Sequence, residues 1–339
     1  MRIILDAMSG DNAPLEILRG ACLAAENGID ADITLVGNES VLRDVAERES
    51  LDLSAFSIVH TEGVIAMEDA PLSIIHDKKN SSMGVGLRML SQGEGDAFVS
   101  AGNTGALLSG AALIVRRLKG VSRPGIGAIL PLSNPVLLLD AGANITVNEA
   151  DLEMFALMGT VYMRRLFGID RPRVGQINNG AESTKGLPLQ IAAYERLGAN
   201  ENIHFVGNIE GKDIPFDTCD VLVADGFTGN VILKLSEGMG KLMLRTMKDL
   251  FYSNALTKIS AGLMKPKLDE LKHRFDASEH GGAPILGVRK PVIKAHGGSD
   301  ANAIRNALAQ AVCFVQYDVN GEIEAIASTV PKKNNKTED

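Results

Sequence analysis

The amino-acid sequence predicts an α/β fold, a three-layer α/β/α sandwich with helices on both sides of a largely parallel sheet. Three observations carry that expectation. Short apolar runs rich in β-branched residues alternate with longer stretches of helical periodicity. The apolar runs lead at once into polar, Gly-rich loops, the places where open α/β sheets bind ligands. The 339 residues are 45% hydrophobic, enough for one large core or two fused lobes.

In chain order, strands are expected at 3–5, 33–36, 56–59, 97–99, 136–139, 174–177, 203–206 and 221–223, each a short run that reads as buried. Helices are expected between them at 14–27, 104–118, 149–167, 185–197 and 299–316. Several open on a Pro, Thr or Ser suited to the first turn, with Ser299 read as an N-cap. From 234 to 274 the character changes. Met239, Leu242, Met243, Met247, Leu250, Leu256, Ile259 and Leu263 are set among Lys241, Arg245, Lys258 and Lys265, and the segment carries nine basic against four acidic residues. A basic amphipathic hairpin of this kind suits a membrane surface or an acidic partner; its plainer reading is a dimer interface or lobe core. Residues 1–330 are expected to form one catalytic unit, or two fused lobes, and 331–339 a disordered tail.

Composition excludes several function classes. A net charge of −8 argues against a general affinity for nucleic acid, which needs a basic face to displace counterions. Cys22, Cys219 and Cys313 form no C-x-x-C pair, so neither a zinc ribbon nor thioredoxin-like chemistry is expected. The first residues, MRIILDAM, are too short an apolar run for a secretory leader, and no stretch reaches the roughly 18 apolar residues of a spanning helix. A cytoplasmic location is expected. G-x-G-x-x-G and G-x-x-x-x-G-K-[ST] are both absent, which weakens NAD and ATP readings; no cofactor is expected. The six histidines show no ligand spacing, and no metal is expected either.

Six strand-end loops, 6–12, 100–105, 140–144, 178–182, 207–208 and 225–230, suggest one shared cleft. In Ser100-Ala101-Gly102-Asn103-Thr104-Gly105 the glycines and small polar side chains at a helix start favour an anion, and they equally suit an ordinary capped turn. The loop at 225–230 repeats the arrangement. Asp6, Asp11 and Asp140 follow apolar runs, where a carboxylate can orient a lysine, hold a metal, act as a base or cap a helix. Lys78-Lys79-Asn80-Ser81-Ser82 suits phosphate or a phosphopantetheine, or else a solvated turn. Lys185, just after a strand end, is the preferred catalytic cation. His296-Gly297-Gly298-Ser299 lacks the preceding strand and final Gly of a nucleophile elbow, although His296 remains a substrate-contact candidate.

Taken together, DAMSGDNAP, KKNSSM, SAGNTGAL, LLLDAGAN, DGFTGNV, KPKL and PVIKAHGGSDANA closely resemble the phosphate acyltransferase family of bacterial phospholipid synthesis, over roughly Met1 to Gln316. The chain departs from the family pattern at Ser9, where the signature has Gly, and at Asn179. The resemblance implies a phosphotransacetylase or isocitrate dehydrogenase-like fold with a mixed sheet. It also implies transfer of an acyl group from long-chain acyl-acyl carrier protein to inorganic phosphate. Its implied partners are acyl carrier protein, a second copy in a homodimer, and an anionic membrane with a membrane glycerol-phosphate acyltransferase. On loop position and residue type, Lys185 and Asn103 are expected to stabilise charge, with Asp6 and Asp11 orienting them or the phosphate. Substrate contacts are expected from Asn12, Asn80, Ser81, Ser82, Gly102, Thr104, Gly105, Asn144, Asn178, Gly180, Glu182, Asp225, Gly229, Asn230 and His296. Membrane contacts are expected from Leu256, Lys258, Ile259, Leu263 and Lys265.

Overall fold

In the computed structural model, residues 1–132, 134–274 and 281–329 are described, without the side chains of 255, 256, 258, 259 and 269–274. The chain builds two mixed sheets. The seven-stranded sheet contains β1 (Arg2–Asp6), β2 (Asp32–Gly37), β3 (Ser57–His60), β4 (Ala97–Ser100), β5 (Gly125–Ile126), β11 (Ala283–Leu286) and β12 (Val292–Lys294), in the order β3-β2-β1-β4-β12-β11-β5. The five-stranded sheet contains β6 (Ala128–Leu130), β7 (Val136–Leu139), β8 (Arg173–Asn178), β9 (His204–Glu210) and β10 (Val221–Val223), in the order β6-β7-β10-β8-β9. β11 runs antiparallel to β12 and β5, and β6 runs antiparallel to β7; the other paired strands are parallel.

Side-chain alternation shows why the layers form. Ile3 and Leu5 of β1 join one hydrophobic cluster while Ile4 joins the other. In β7, Leu137 and Leu139 likewise part from Leu138. Strands with no polar face must be covered on both sides, so each sheet lies between helices. One cover is α5 (Glu149–Phe167), closed at its start by a reciprocal capping box of Asn148 and Asp151, and at its end by Gly168 at φ 68°. Another is the pair α1 (Leu15–Glu26) and α9 (Ala301–Gln316), where Gly20 lets the helices approach: a Cβ there would lie 2.5 Å from Ile304 Cβ.

All eight expected strands form, with shifts of a residue or so at several ends, and β9 runs on four residues past its expected end to Glu210. β5, β6, β11 and β12 are additions. The helix expected at 104–118 divides into α4 (Thr104–Gly110) and a π-helical turn over Ala111–Arg116. The helix expected from 185 begins later, as α6 (Pro188–Ala199), leaving Lys185 in the loop before it. Ser299 is not the N-cap of α9. Asp300 holds that place, accepting from Ala303 N at 2.9 Å, because its side chain is one residue closer to the free N–H groups. The remaining helices are α2 (Glu39–Glu49), α3 (Ser82–Gln92), α7 (Gly226–Phe251), α8 (Ala255–Arg274) and α10 (Val319–Ala327). α7 and α8 are successive helices that pack on each other. Among the described residues no helix is long and apolar enough to cross a membrane. The tail at 331–339 lies outside the described residues.

Candidate functional site

Parallel pairing puts the carboxyl ends of β1, β4 and β12 side by side, with Lys294 in register with Ser100. The loops that follow are locked together. Asp11 N donates to Gly297 O at 2.8 Å, and Asn12 Nδ2 reaches the carbonyls of Gly298 and Ser299, each at 3.3 Å. Gly10, at φ 117°, permits the approach, since a Cβ there would lie 3.0 Å from Ala101 Cβ and 3.2 Å from Gly297 O. Gly102 serves the same end against Ser9 and Met83.

Asp6 is buried beneath these loops. Its carboxylate accepts from Ser100 Oγ at 2.7 Å and Met8 N at 3.3 Å, while Gly102 N donates to Ser100 Oγ at 3.1 Å. The hydroxyls of Ser9 and Ser82 face the same carboxylate without completing a well-formed hydrogen bond. Burial pushes the Asp6 carboxyl up, and the hydrogen bonds only partly offset it. Asp6 therefore acts as the hub that positions three loop segments.

Lys294 ends β12 beside this hub and is only 9% exposed. Its Nζ donates to the carbonyls of Ala295 and, at 3.5 Å, Ala101. Among the described residues no carboxylate oxygen lies within ion-pair distance. Burial lowers its pKa to about 8, with the Asp11 charge opposing that fall and Lys234 adding to it. Lys234, Glu237 and Lys241 lie at i, i+3 and i+7 on α7, one face of the helix. That face is felt by His296, which burial, Lys294, Lys234 and Lys241 hold below its ordinary pKa while Glu237 pulls it upward. His296 Nδ1 accepts from Gly298 N at 3.1 Å.

Asn103 caps α4, its Oδ1 accepting from Ala106 N at 3.0 Å. Its Nδ2 donates to the carbonyls of Ala66 (3.2 Å), Met67 (2.8 Å) and Asp69 (3.1 Å). The amide is thus engaged on both sides, clamping the 66–69 loop against the start of α4. Gly105 meets Pro71 on the same side, and Thr104 is exposed. Lys78 pairs with Asp69, holding that carboxyl below its ordinary range. Ser81 caps α3 through Gly84 N at 3.1 Å, and Asn80 lends its carbonyl to Thr61.

At the ends of β7 and β10 a second group gathers. Asp140 Oδ1 accepts from the backbone N of Ile126, Gly142 and Ala143, and its Oδ2 from Asn144 N and Nδ2. Asn144 O accepts from Gly226 N at 2.8 Å, and Asn230 Nδ2 donates to Ala141 O at 3.3 Å. Gly229 packs against Asp140 so closely that a Cβ would stand 1.9 Å from its carbonyl oxygen. Asp225 caps α7 through Thr228 N at 2.9 Å. A third group closes β8: Asn178 Nδ2 donates to Lys185 O at 3.0 Å, Asn208 Nδ2 to Glu182 O at 2.9 Å, and Gly180 lies against both Lys185 and Glu182. The Lys185 side chain is exposed.

By the strands that end in them, the loops fall into three groups on two sheets. α7 joins two of them, rising from Asp225 at the end of β10 and bringing Lys234, Glu237 and Lys241 to Lys294 and His296. The structure gathers Asp6, Asp11, Asn12, Ser82, Gly102 and His296 around the first sheet's ends, and groups Lys185 with Asn178, Gly180 and Glu182 at the second. Lys294 was not singled out from sequence. Its signal is a lone charge closing the apolar run Pro291-Val292-Ile293 just before His296-Gly297-Gly298. Leu263 and Lys265 are exposed on α8; the side chains of Leu256, Lys258 and Ile259 lie outside the described residues.

The family described as "Fatty acid synthesis protein" matches residues 1–322. A phosphate acyltransferase of Thermoanaerobacter pseudethanolicus is 45% identical over 325 residues, 96% of each chain. The chain belongs to the phosphate acyltransferase family. A second phosphate acyltransferase, of Acetivibrio thermocellus, is 44% identical over 96% of this chain and 99% of its own. This acyltransferase shares its fold with phosphotransacetylases. That of Streptococcus pyogenes superposes with a TM-score of 0.65 at 16% identity over 94% of each chain, and one from Staphylococcus aureus with 0.60 at 15% identity over 93% of this chain and 94% of its own. The mixed parallel and antiparallel pairing that the family resemblance implied is observed, divided between two sheets rather than held in one.

Proposed function

We propose that this acyltransferase moves the acyl group of long-chain acyl-acyl carrier protein onto inorganic phosphate, releasing acyl phosphate and free carrier protein. The observation that carries the reading is the convergence of backbone-rich, Gly-closed loops with an uncompensated ammonium at the carboxyl ends of β1, β4 and β12. Phosphate is its own nucleophile. The protein needs no acylated Ser or Cys, and its task is to hold phosphate against the thioester carbonyl. An attacking phosphate oxygen forms the new C–O bond; the C–S bond breaks, and its electron pair leaves on sulfur. A thiol with a pKa of about 8.5 leaves readily as thiolate. Developing negative charge on the carbonyl oxygen calls for fixed donors, and Lys185 with the backbone N–H groups near Asn103 is assigned that work. Asp6 and the Asn103 clamp position the loops.

Peripheral membrane docking and a homodimer belong to the same proposal. The helix pair α7 and α8 supports docking: Leu242, Leu250 and Leu263 are exposed beside Lys241, Arg245, Lys248 and Lys265. The product would pass to a membrane glycerol-phosphate acyltransferase. Incubating the pure protein with acyl-acyl carrier protein and phosphate, with hydroxylamine as trap, should yield phosphate-dependent acyl hydroxamate. A yield equal to a protein-free control would refute the reaction.

A further inference from the structure

We infer that Lys294 is the residue that binds inorganic phosphate, in a pocket walled by residues 9–12, 101–103 and 295–299. The inference rests on the reaction proposed above and names the ligand of its second substrate. A buried ammonium without a counter-charge is costly, and such a group persists where an anionic ligand completes it. Lys294 fits that description, with only carbonyl partners inside the protein.

Independent of that charge, the surrounding walls hold a hydroxyl with nothing to bond. Ser299 is 6% exposed and its Oγ has no partner, whereas the Ser9 hydroxyl turns to the Asp6 carboxylate. Buried hydroxyls are nearly always satisfied, so an unpartnered Ser299 on the segment that follows Lys294 suits an acceptor-rich ligand. Ser299 belongs to the interlocked loops, where Asn12 bonds Ser299 O and Gly10 abuts Ala101 and Gly297. Phosphate, with four oxygens and two negative charges, is an acceptor of the right kind. Asp11 from the first loop and Lys234 from α7 act on Lys294, and Glu237 and Lys241 of the same helix act on its neighbour His296. Glu237 is paired with Lys234 at 3.1 Å, and Asp11 is exposed at the rim. The balance inside the pocket is positive. Lys294 keeps its proton throughout the reaction; it neutralises phosphate and takes no part in bond exchange.

The test is steady-state kinetics on the full-length chain with phosphate and acyl donor varied separately, beside thermal melts with and without phosphate. Lys294→Met should raise the KM for phosphate roughly 30-fold, the loss of one charge-assisted hydrogen bond. The KM for the acyl donor should stay within about twofold on the same reasoning, and the phosphate-induced rise in Tm should vanish. In the unsubstituted protein kcat/KM for phosphate should fall above pH 8 as the ammonium is lost, and Lys294→Arg should remove that limb. An unchanged phosphate KM with an intact phosphate-induced Tm rise in Lys294→Met would overturn the inference. If Lys294→Met does not fold, Ser299→Ala decides it, with a phosphate KM raised several-fold expected, on the order of the loss of one hydrogen bond, and an unchanged one fatal. Absence of acyl hydroxamate from a protein whose melt still responds to phosphate through Lys294 would instead remove the reaction and leave the binding site.

Discussion

Lys294→Met should make the phosphate-free protein more stable near neutral pH. Burial lowers the lysine from its ordinary pKa of 10.5 to about 8. At 1.36 kcal/mol per pH unit, carrying the charge in the fold costs roughly 3 kcal/mol. Met matches the stem and removes the charge, but leaves the carbonyls of Ala101 and Ala295 without this donor, a loss of about 1 kcal/mol or somewhat more. The net gain is about 1–2 kcal/mol, a rise in Tm of a few degrees, on the order of 2–4 °C. The sign with pH follows from proton binding. Between pH 8 and 10.5 the unfolded chain holds a proton that folded Lys294 has lost, so raising the pH through that window stabilises the unsubstituted protein. The advantage of Met is therefore full below pH 8 and gone by pH 10.5. Urea unfolding at pH 7, 9 and 10.5, in buffers free of phosphate, measures it. A variant with native circular dichroism that is less stable at pH 7 by more than about 1 kcal/mol would refute the reasoning, showing that the amine's hydrogen bonds outweigh its desolvation.

Other perturbations probe the scaffold and the surface. Asn103→Ala removes the α4 cap and three side-chain donations; stability should fall by about 2 kcal/mol and amide exchange should quicken at 66–69, whereas unchanged exchange there would dismiss the clamp. Gly229→Ala forces a methyl against the Asp140 carbonyl, and a loss of roughly 3 kcal/mol or more is expected in thermal melts; a near-neutral change would mean that α7 can retreat from β7. Leu263→Glu with Lys265→Glu should weaken sedimentation with anionic vesicles by about tenfold or more, leaving turnover of soluble substrates intact. Equal binding of both proteins would move the docking surface elsewhere.

The strands were legible where hydrophobicity alone specifies them. The runs 3–5, 136–139 and 221–223 are apolar on both faces because both faces are covered, and α5 announces itself through Asn148, Asp151 and Gly168. β5, β6 and β11 were not legible. They are short, lie near Gly125, Gly127 and Pro284, and owe their existence to antiparallel partners distant in the chain. Loop position identified Asn103, Asp225 and Asp140 correctly as residues at strand ends, but side-chain type cannot distinguish a group facing substrate from one consumed by backbone. In the fold all three hold the loops in place. Lys294 escaped notice for the opposite reason: only tertiary burial, set by β4, α7 and the 6–12 loop together, turns a common surface residue into an unneutralised charge.

Helix α7 also works as a ruler. Ten residues separate Lys241, which faces His296, from Phe251 at the turn into α8, and at 1.5 Å per residue that is about 15 Å along the axis. If acyl phosphate forms where proposed and the helix pair meets lipid, this anhydride, readily attacked by water, is released about half a bilayer's thickness from the surface where it is used. Proximity then does what a dedicated carrier would otherwise have to do.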